Sequence, residues 1–274
     1  MAAAFFIMLR EGLEAALIVG ILSGYLGRIG RRDALGQVWL GVLAAAGLSF
    51  AAGVLVIATI GELPAAVQSS LEAVAAVLAV IVVTWMLFWM RRQGRALKGE
   101  LEQQVAAALN RGSTTAIVGL AFVAVLREGL ETALFLLAIV QSSGAAIPTL
   151  VGALAGLAVA IGIGWAIFRA GVRINLRRFF SVTGVVLIFV AAGLVIFSLD
   201  ELMEAGVLAK TGVLFDLGGL LPDDGGIGSL LHGLFGYVPD PTLLQAGLYL
   251  LYLLPVLALF LFEDRLPRRQ SVRA

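Results

Sequence analysis

Cysteine is absent from this sequence of 274 residues, and histidine occurs once. Without cysteine the chain has no disulfides, thiolate metal sites or cysteine nucleophiles, and a single histidine excludes a histidine cluster. Charged residues are also scarce, at 14% against about 25% in soluble domains. Hydrophobic residues make up 61% of the chain, and its mean hydropathy is +1.03. These values exclude an ordinary soluble domain and predict an all-α, polytopic membrane protein.

Seven stretches are apolar over the roughly 20 residues that a helix needs to cross a hydrocarbon core of ~30 Å. They cover about 2–27, 35–60, 66–90, 114–141, 147–168, 179–199 and 242–262. A polar segment at 91–111 is expected to form a short surface helix, and 205–240 is expected to be an outer loop. The first stretch lacks a basic start and is interrupted by charges, so it is interpreted as a retained span rather than a cleaved signal peptide.

The distribution of basic residues predicts the orientation. Sixteen of the 19 Lys and Arg residues lie within 28–32, 91–111, 169–178 and 265–273. Because cytoplasmic loops are enriched in Lys and Arg, these segments are placed in the cytoplasm, with the N-terminus outside and the C-terminus inside. Four tryptophans near span ends are typical of interfacial anchors: Trp39, Trp85, Trp89 and Trp165.

One pentapeptide occurs twice, each time in the middle of an apolar stretch. Arg-Glu-Gly-Leu-Glu stands at 10–14 and again at 127–131. The windows 5–19 and 122–136 share nine of fifteen residues at an offset of 117, so the chain contains a repeat. An Arg or Asp at the bilayer centre costs roughly 2.5–3.5 kcal/mol, and charged residues placed there usually mark an ion or substrate path.

The two copies are predicted to cross the membrane in opposite senses, because three spans separate them. Residues 1–93 and 113–204 are therefore interpreted as an inverted repeat of three helices each, with 241–264 as a seventh helix. Arg10 lies about 15 Å from the outer end of its span, and Arg127 lies roughly 20 Å from the inner end of its own. Inverted repeats place substrate sites near the midplane, where the halves meet.

The glutamates of the motif predict a cation site. Residues three apart share a helix face, so Glu11 and Glu14 point the same way, as do Glu128 and Glu131. Four carboxylates are thus expected to converge on one pocket. Carboxylate oxygens are hard ligands suited to Mg, Ca, Mn or ferric iron, whereas a soft-metal site would need Cys, Met or His. The alternative is two intrahelical ion pairs that only orient the bundle.

The other motif residues have predicted roles as well. Arg10 and Arg127 each precede a glutamate by four residues and can neutralise it. Four carboxylates and two arginines leave two negative charges, to be balanced by a cation or by protons. Gly12 and Gly129 are expected to let the two motif helices approach closely. Met8 is the sulfur nearest to the motif in sequence.

An acidic outer face is predicted to attract cations and speed their capture. Its candidate capture residues are Glu72, Asp200, Glu201 and Glu204. Glu201 and Glu204 share a helix face, with a solvated helix end as the alternative interpretation. Glu72 lies one or two turns inside the third span, where helix pairing is the alternative. His232, in the outer loop, is expected to be a packing or surface residue.

The doubled pentapeptide, in the first and fourth of seven spans, resembles the signature of the oxidase-dependent iron transporter family. This family includes fungal high-affinity iron permeases and bacterial EfeU-type permeases, and the resemblance covers essentially the whole chain. It implies import of iron, with ferric favoured over ferrous, the motif glutamates as iron ligands, and an extracytoplasmic oxidase or iron-binding protein as delivery partner. Bacterial relatives often end the sixth span with His-Glu-Leu-Gln-Glu-Ala-Gly, from which Asp200 and Met203 depart.

Other functions remain as alternatives. Within transport these are a carrier for manganese or another divalent cation, and a proton-driven exporter. An intramembrane lipid-phosphate hydrolase would need a nucleophile or phosphate cradle beside the acids, and only Thr132 adjoins a motif. A purely structural membrane subunit is the last alternative. The chain is not expected to be an enzyme or to hold a cofactor. Nucleic-acid binding is not expected either, because the basic residues are dispersed along the loops.

Overall fold

The computed structural model describes residues 1–60, 65–93, 97–110, 114–143, 146–169, 175–209, 212–222 and 226–262. Within these ranges the chain forms nine α-helices, and an isolated bridge joins Val213 to Thr242. The helices are α1 (Ala2–Arg28), α2 (Leu35–Ile60), α3 (Ala65–Gln93), α4 (Leu97–Asn110), α5 (Thr114–Ser143), α6 (Ala146–Arg169), α7 (Leu176–Glu204), α8 (Gly226–Phe235) and α9 (Leu243–Phe262).

Seven of these helices correspond to the predicted spans. Their bounds agree with the sequence to within a few residues, except that α7 continues to Glu204 instead of ending near 199. Five of them, namely α2, α3, α6, α7 and α9, are long and apolar enough to cross a membrane by length and composition alone. The other two, α1 and α5, are similarly long and carry the charged pentapeptides. The described chain is an all-helical, multi-pass membrane protein.

The short helix α4 lies in the polar segment where a surface helix was expected. One side of it is buried: Leu101 and Val105 pack with Leu22 of α1 and Ile117 of α5 in an apolar cluster. Arg28, the last residue of α1, forms an ion pair with Glu102 of α4. This helix therefore covers one end of the space between α1 and α5.

The segment 205–240, predicted to be an outer loop, contains a helix that the sequence did not predict. Residues 226–235 form α8, whose amphipathic sequence packs against α7. Gly193 of α7 and Gly236, just beyond α8, approach each other backbone to backbone, and Phe189 meets Phe235 edge-on with ring centroids 5.0 Å apart. The high glycine content of the segment concealed its helical period.

The long helices pack in an arrangement that is unchanged when the two halves of the chain are exchanged. α1 packs mainly along α6 and α2 mainly along α5, while α3 packs along α7 and α1 contacts α5. If α1, α2 and α3 are exchanged with α5, α6 and α7 in that order, the pair α1–α6 becomes the pair α5–α2. The pairs α3–α7 and α1–α5 are then unchanged. α9 packs against α7 and α3 and lies outside this exchange.

Two stripes of small residues, one on α2 and one on α6, allow close contact with α5 and α1 respectively. Small residues recur at every fourth position on α2 and on α6, which places them on one helix face. The stripes are Gly41, Ala45, Ser49 and Gly53 on α2, and Gly152, Gly156, Ala160 and Gly164 on α6. Because small side chains let backbones approach closely, α5 lies directly on the first stripe and α1 directly on the second.

The contacts along the two stripes correspond to one another. The matching pairs are Gly41 with Val118 and Gly53 with Ala133 on one side, and Gly152 with Met1 and Gly164 with Ala16 on the other. Val118 follows Met1, and Ala133 follows Ala16, by the same 117 residues that separate the pentapeptides. The repeat in the sequence thus has a counterpart in the packing.

Candidate metal centre

The two pentapeptides lie next to each other, where α1 contacts α5. Their charged side chains are largely withdrawn from solvent: Arg10 and Glu11 are each 1% exposed, and Glu128 is 7% exposed. Burying a charged group is costly unless it finds a partner of opposite charge or a hydrogen bond. The partners of each group therefore decide what the site can do.

Three carboxylates from the two helices converge. Glu11 of α1 and Glu128 and Glu131 of α5 each offer one carboxylate oxygen, and these oxygens lie within 4.8 Å of one another. On each of the three, the second oxygen, Oε2, is buried and has no hydrogen-bond partner within the described part of the chain. Buried acceptor oxygens in this state are unfavourable until a cation or a proton reaches them. The group fits a cation that prefers oxygen ligands.

Glu14 does not join this group. Its Oε1 lies 3.1 Å from Nε of Arg10, which is an ion-pair distance, although the N–H group is not aimed at the oxygen as a hydrogen bond requires. Nη1 of Arg10 also donates to Oε1 of Glu11 at 3.4 Å. The structure therefore brings together three of the four predicted glutamates, and Arg10 holds the fourth to one side.

The second motif also contains an ion pair between its arginine and its second glutamate, but its arginine has different neighbours. Nε of Arg127 donates to Oε1 of Glu131 at 2.9 Å. Its guanidinium lies 4.1 Å from the ring centroid of Trp89 and 5.9 Å from that of Trp85. A cation over an indole face is attracted by the negative potential of that face. Trp85 and Trp89, expected to be interfacial anchors, thus support the motif arginine.

The motif glycines make a different contact from the predicted one. A Cβ added at Gly12 would lie 3.0 Å from Cβ of Ala160 on α6, and one added at Gly129 would lie 2.8 Å from Cβ of Ser49 on α2. The expectation that they allow α1 to approach α5 is therefore wrong. Each glycine directly follows a glutamate, and consecutive helical residues point about 100° apart, so the glycine faces a neighbouring helix.

Two methionines of α3 that were not among the predicted site residues lie against Arg10. Sδ of Met86 is 3.6 Å from Nη1 of Arg10, and Sδ of Met90 is 2.7 Å from Nη2. Met8, the sulfur nearest in sequence, packs against the apolar core that includes Leu187. The available signal was the spacing of Met86 and Met90, since residues four apart share a helix face.

Glu72 lies near the beginning of α3 and is 9% exposed. Its Oε1 accepts hydrogen bonds from Nε2 of Gln68 at 2.8 Å and from Nε2 of Gln141 at 2.5 Å. Because Gln141 belongs to the end of α5, Glu72 joins α3 to α5. The helix-pairing interpretation of this residue therefore matches its contacts.

The three acids at the end of α7 lie close to this pairing residue. The charges of Glu72, Asp200 and Glu204 are near enough to act on Glu201. Oδ1 of Asp200 accepts a hydrogen bond from Nε2 of Gln245 on α9 at 2.5 Å. Glu204 is exposed at the last position of the helix. The four predicted capture residues thus occupy one region of the molecule, with different degrees of exposure.

His232 lies on α8 and not in a loop as expected. Its Nδ1 is 2.9 Å from the carbonyl oxygen of Tyr237, and its Nε2 is 3.4 Å from that of Ser142 at the end of α5. Both ring nitrogens contact backbone, so the side chain links α8 to α5. These are the contacts of a packing residue.

Comparison with known proteins decides the family. Residues 1–266 match the family described as Iron permease FTR1 family. The chain belongs to this iron permease family. Its relatives include proteins named ferrous iron permease EfeU from Escherichia coli O6:K15:H31 and Shigella sonnei, both 42% identical over 264 residues and 95% of each chain. A relative of the same name from Yersinia pestis is 41% identical over 274 residues, which is 98% of this chain and 96% of that protein. No solved structure matches the chain.

Membership of the FTR1 family confirms the resemblance that the doubled pentapeptide carried. The match spans all nine helices and includes both motifs. It identifies the chain as a member of a permease family, which favours transport over a lipid-phosphate hydrolase or a structural subunit. In this chain, the converging carboxylates of Glu11, Glu128 and Glu131 offer oxygen atoms of the kind that suits a metal cation.

Proposed function

We propose that this chain imports iron across the cytoplasmic membrane through a site formed by Glu11, Glu128 and Glu131. The observation that carries the proposal is the meeting of three carboxylates from two copies of one motif, two of them buried and that of Glu131 partly buried, each with an oxygen that has no hydrogen-bond partner among the described residues. Intrahelical ion pairs that served only to orient the bundle would not require carboxylates of α1 and α5 to meet. The family match supports iron as the cargo.

Charge balance favours ferrous iron. The four motif glutamates and two motif arginines sum to two negative charges. A ferrous ion brings this sum to zero, whereas a ferric ion leaves one positive charge in a buried site, which is costly. The names of the relatives, ferrous iron permeases, agree with this preference. Two protons on the carboxylates would balance the same charge when iron is absent.

The surroundings of the site support a direction of transport. With the N-terminus outside, the acids of α3 and α7 lie on the outer side, where they attract cations. On the opposite side, apolar side chains of α1, α4 and α5 pack together. We interpret this arrangement as closed toward the cytoplasm, so that import requires α4 and its partners to move. The basic residues at 265–273, which contribute to this orientation, lie outside the described residues.

The division of the chain follows from the same argument. We interpret 1–93 and 113–204 as two inverted halves, with 205–240 as an outer connection and 241–264 as a seventh helix. The exchange of halves in the helix packing supports this division, as does the offset of 117 between the α1 and α5 residues that contact the small-residue stripes. In inverted repeats the substrate site lies where the halves meet, as the three carboxylates do here.

Uptake of labelled iron into vesicles containing the purified full-length chain tests the proposal. We expect Glu11→Gln and Glu128→Gln each to reduce ferrous iron uptake by the order of 100-fold, because each removes a charged ligand while keeping the side-chain size. Glu100→Gln, on the exposed side of α4, is the matched control and should transport normally. Normal uptake by both site variants would refute the proposal.

Manganese is the alternative cargo, because carboxylate oxygens alone also suit it. Adding unlabelled manganese to the same vesicles distinguishes the two metals. We expect manganese to compete weakly with ferrous iron, and equal competition would make the site a general divalent-cation path. The delivery partner implied by the family resemblance, an oxidase or iron-binding protein, would dock at the outer acids.

A further inference from the structure

The guanidinium of Arg10 is held between two kinds of ligand. On one side lie the carboxylates of Glu11 and Glu14, at 3.4 and 3.1 Å. On the other side lie the sulfurs of Met86 and Met90, at 3.6 and 2.7 Å. A thioether is a weak acceptor, and a guanidinium already paired with two carboxylates gains little from it. Stabilising Arg10 therefore does not account for a pair of sulfurs at this place.

We propose that Met86 and Met90 are soft ligands that make the site select ferrous iron over manganese and over ferric iron. This inference rests on the proposed transport function and concerns the same site. Thioether sulfur favours softer and later transition metals, while carboxylates alone suit magnesium, calcium and manganese. Ferrous iron follows manganese in the order of divalent affinities, and ferric iron is the harder ion. Adding two sulfurs to three carboxylates thus shifts preference toward ferrous iron.

The geometry places these sulfurs within reach of the carboxylates. Nη1 of Arg10 contacts both Oε1 of Glu11 and Sδ of Met86, so one cationic group already bridges an oxygen and a sulfur. A metal ion at the position of this nitrogen would meet the same two atoms. Methionine is unbranched and flexible, so its sulfur can adjust to a metal. Binding of a metal at this position therefore requires the guanidinium of Arg10 to move away.

Among the described residues, no methionine sulfur contacts Arg127, the arginine of the second motif. Its arginine lies over the rings of Trp85 and Trp89, on the row of α3 adjacent to the methionines. An indole ring attracts a cation through its face and has no sulfur donor for a metal. Within the described residues, the proposed sulfur ligands therefore lie only beside Arg10. The side of the site beside Arg127 presents indole rings instead.

The test is competition between metals in vesicles containing the full-length chain. The double variant Met86→Leu/Met90→Leu removes both sulfurs while conserving side-chain volume, a change that cores usually tolerate. We expect the manganese concentration that halves ferrous iron uptake to fall by roughly tenfold, the scale on which loss of metal-supporting groups lowers affinity. The control is Met203→Leu, which replaces a buried methionine at the end of α7. In this variant, manganese should inhibit ferrous iron uptake at the same concentration as in the unaltered chain.

X-ray absorption at the iron edge gives a second readout that a packing role would not produce. In the unaltered chain loaded with ferrous iron we expect a sulfur shell around the metal, retained in Met203→Leu and lost in the double variant. Absence of this shell from the unaltered chain overturns the proposal even if the double variant fails to fold. So does unchanged manganese competition in a double variant that folds normally.

The outcome also separates this proposal from the transport function. If Glu11→Gln abolishes iron uptake while the methionine variant keeps the original metal preference, only the sulfur proposal fails. If Glu11→Gln and Glu128→Gln both transport iron normally, the proposed iron site is wrong, and the sulfur proposal fails with it.

Discussion

The two pentapeptides have the same sequence and the same internal ion pair, yet their arginines meet different surroundings. The side chain of Arg10 is 2% exposed and lies against Met86 and Met90. That of Arg127 is 34% exposed and lies over Trp89. Both sets of neighbours come from one helix, α3, which presents adjacent rows of residues to the two motifs. An identical local sequence therefore acquires two environments from different residues of one neighbouring helix.

The contrast also shows where the repeat is exact and where it is not. α1 on α6 and α5 on α2 use matching small-residue contacts, so the frame of the two halves is shared. The residues that α3 places beside the two arginines do not match in this way: they are methionines beside Arg10 and tryptophans beside Arg127. The matching contacts thus frame the three carboxylates, whereas the contacts of α3 with the two arginines differ.

Removing each arginine should produce the largest difference between the motifs. We expect Arg10→Gln to cost about 3–5 kcal/mol of stability, because it leaves two buried carboxylates without their counter-charge. Arg127→Gln should cost about 1 kcal/mol or less, since its pair is partly exposed. Thermal unfolding of the purified chain in detergent measures both. Equal losses would show that the two settings are energetically the same.

Adding a methyl group at each motif glycine tests the shared frame. Gly129→Ala should cost about 1–3 kcal/mol, because the new Cβ would overpack against Ser49. Gly12→Ala should cost less, since the approach to Ala160 is slightly longer. The same unfolding measurement compares them.

A compensating change serves as the control for this prediction. Ser49→Gly opens the space that the new methyl group needs, so it should restore the stability of Gly129→Ala. Failure of Ser49→Gly to rescue would place the cost elsewhere than at the contact between α5 and α2.

Removing the indole under Arg127 should have the smallest effect. Trp89→Leu is expected to cost about 0.5–1 kcal/mol, the range of a cation–π contact at an exposed site. Trp85→Leu should cost less, because its ring lies 5.9 Å from the guanidinium against 4.1 Å for Trp89. The reverse order in thermal unfolding would mean that the rings act by packing and not through the cation.

Much of the fold follows from local sequence. The long apolar runs predicted the seven long helices of the described residues. The spacing of four residues predicted the ion pairs of Arg10 with Glu14 and of Arg127 with Glu131. The small-residue stripes of α2 and α6 could have been found by the same periodicity. The helix α8 was missed because glycines interrupt its apolar pattern.

The sequence by itself determined the membrane class, the repeat and the carboxylates that line the candidate site, because hydrophobicity and helical spacing are properties of neighbouring residues. Only the tertiary structure decided that Glu14 stands apart from the other three glutamates, that the motif glycines face α6 and α2, and that α3 brings sulfur to one arginine and indole to the other. These contacts join residues far apart in the chain, and they depend on how each helix is rotated against its neighbours. The hydrophobic pattern of a single helix fixes its tendency to be buried but not which neighbour each of its faces will meet.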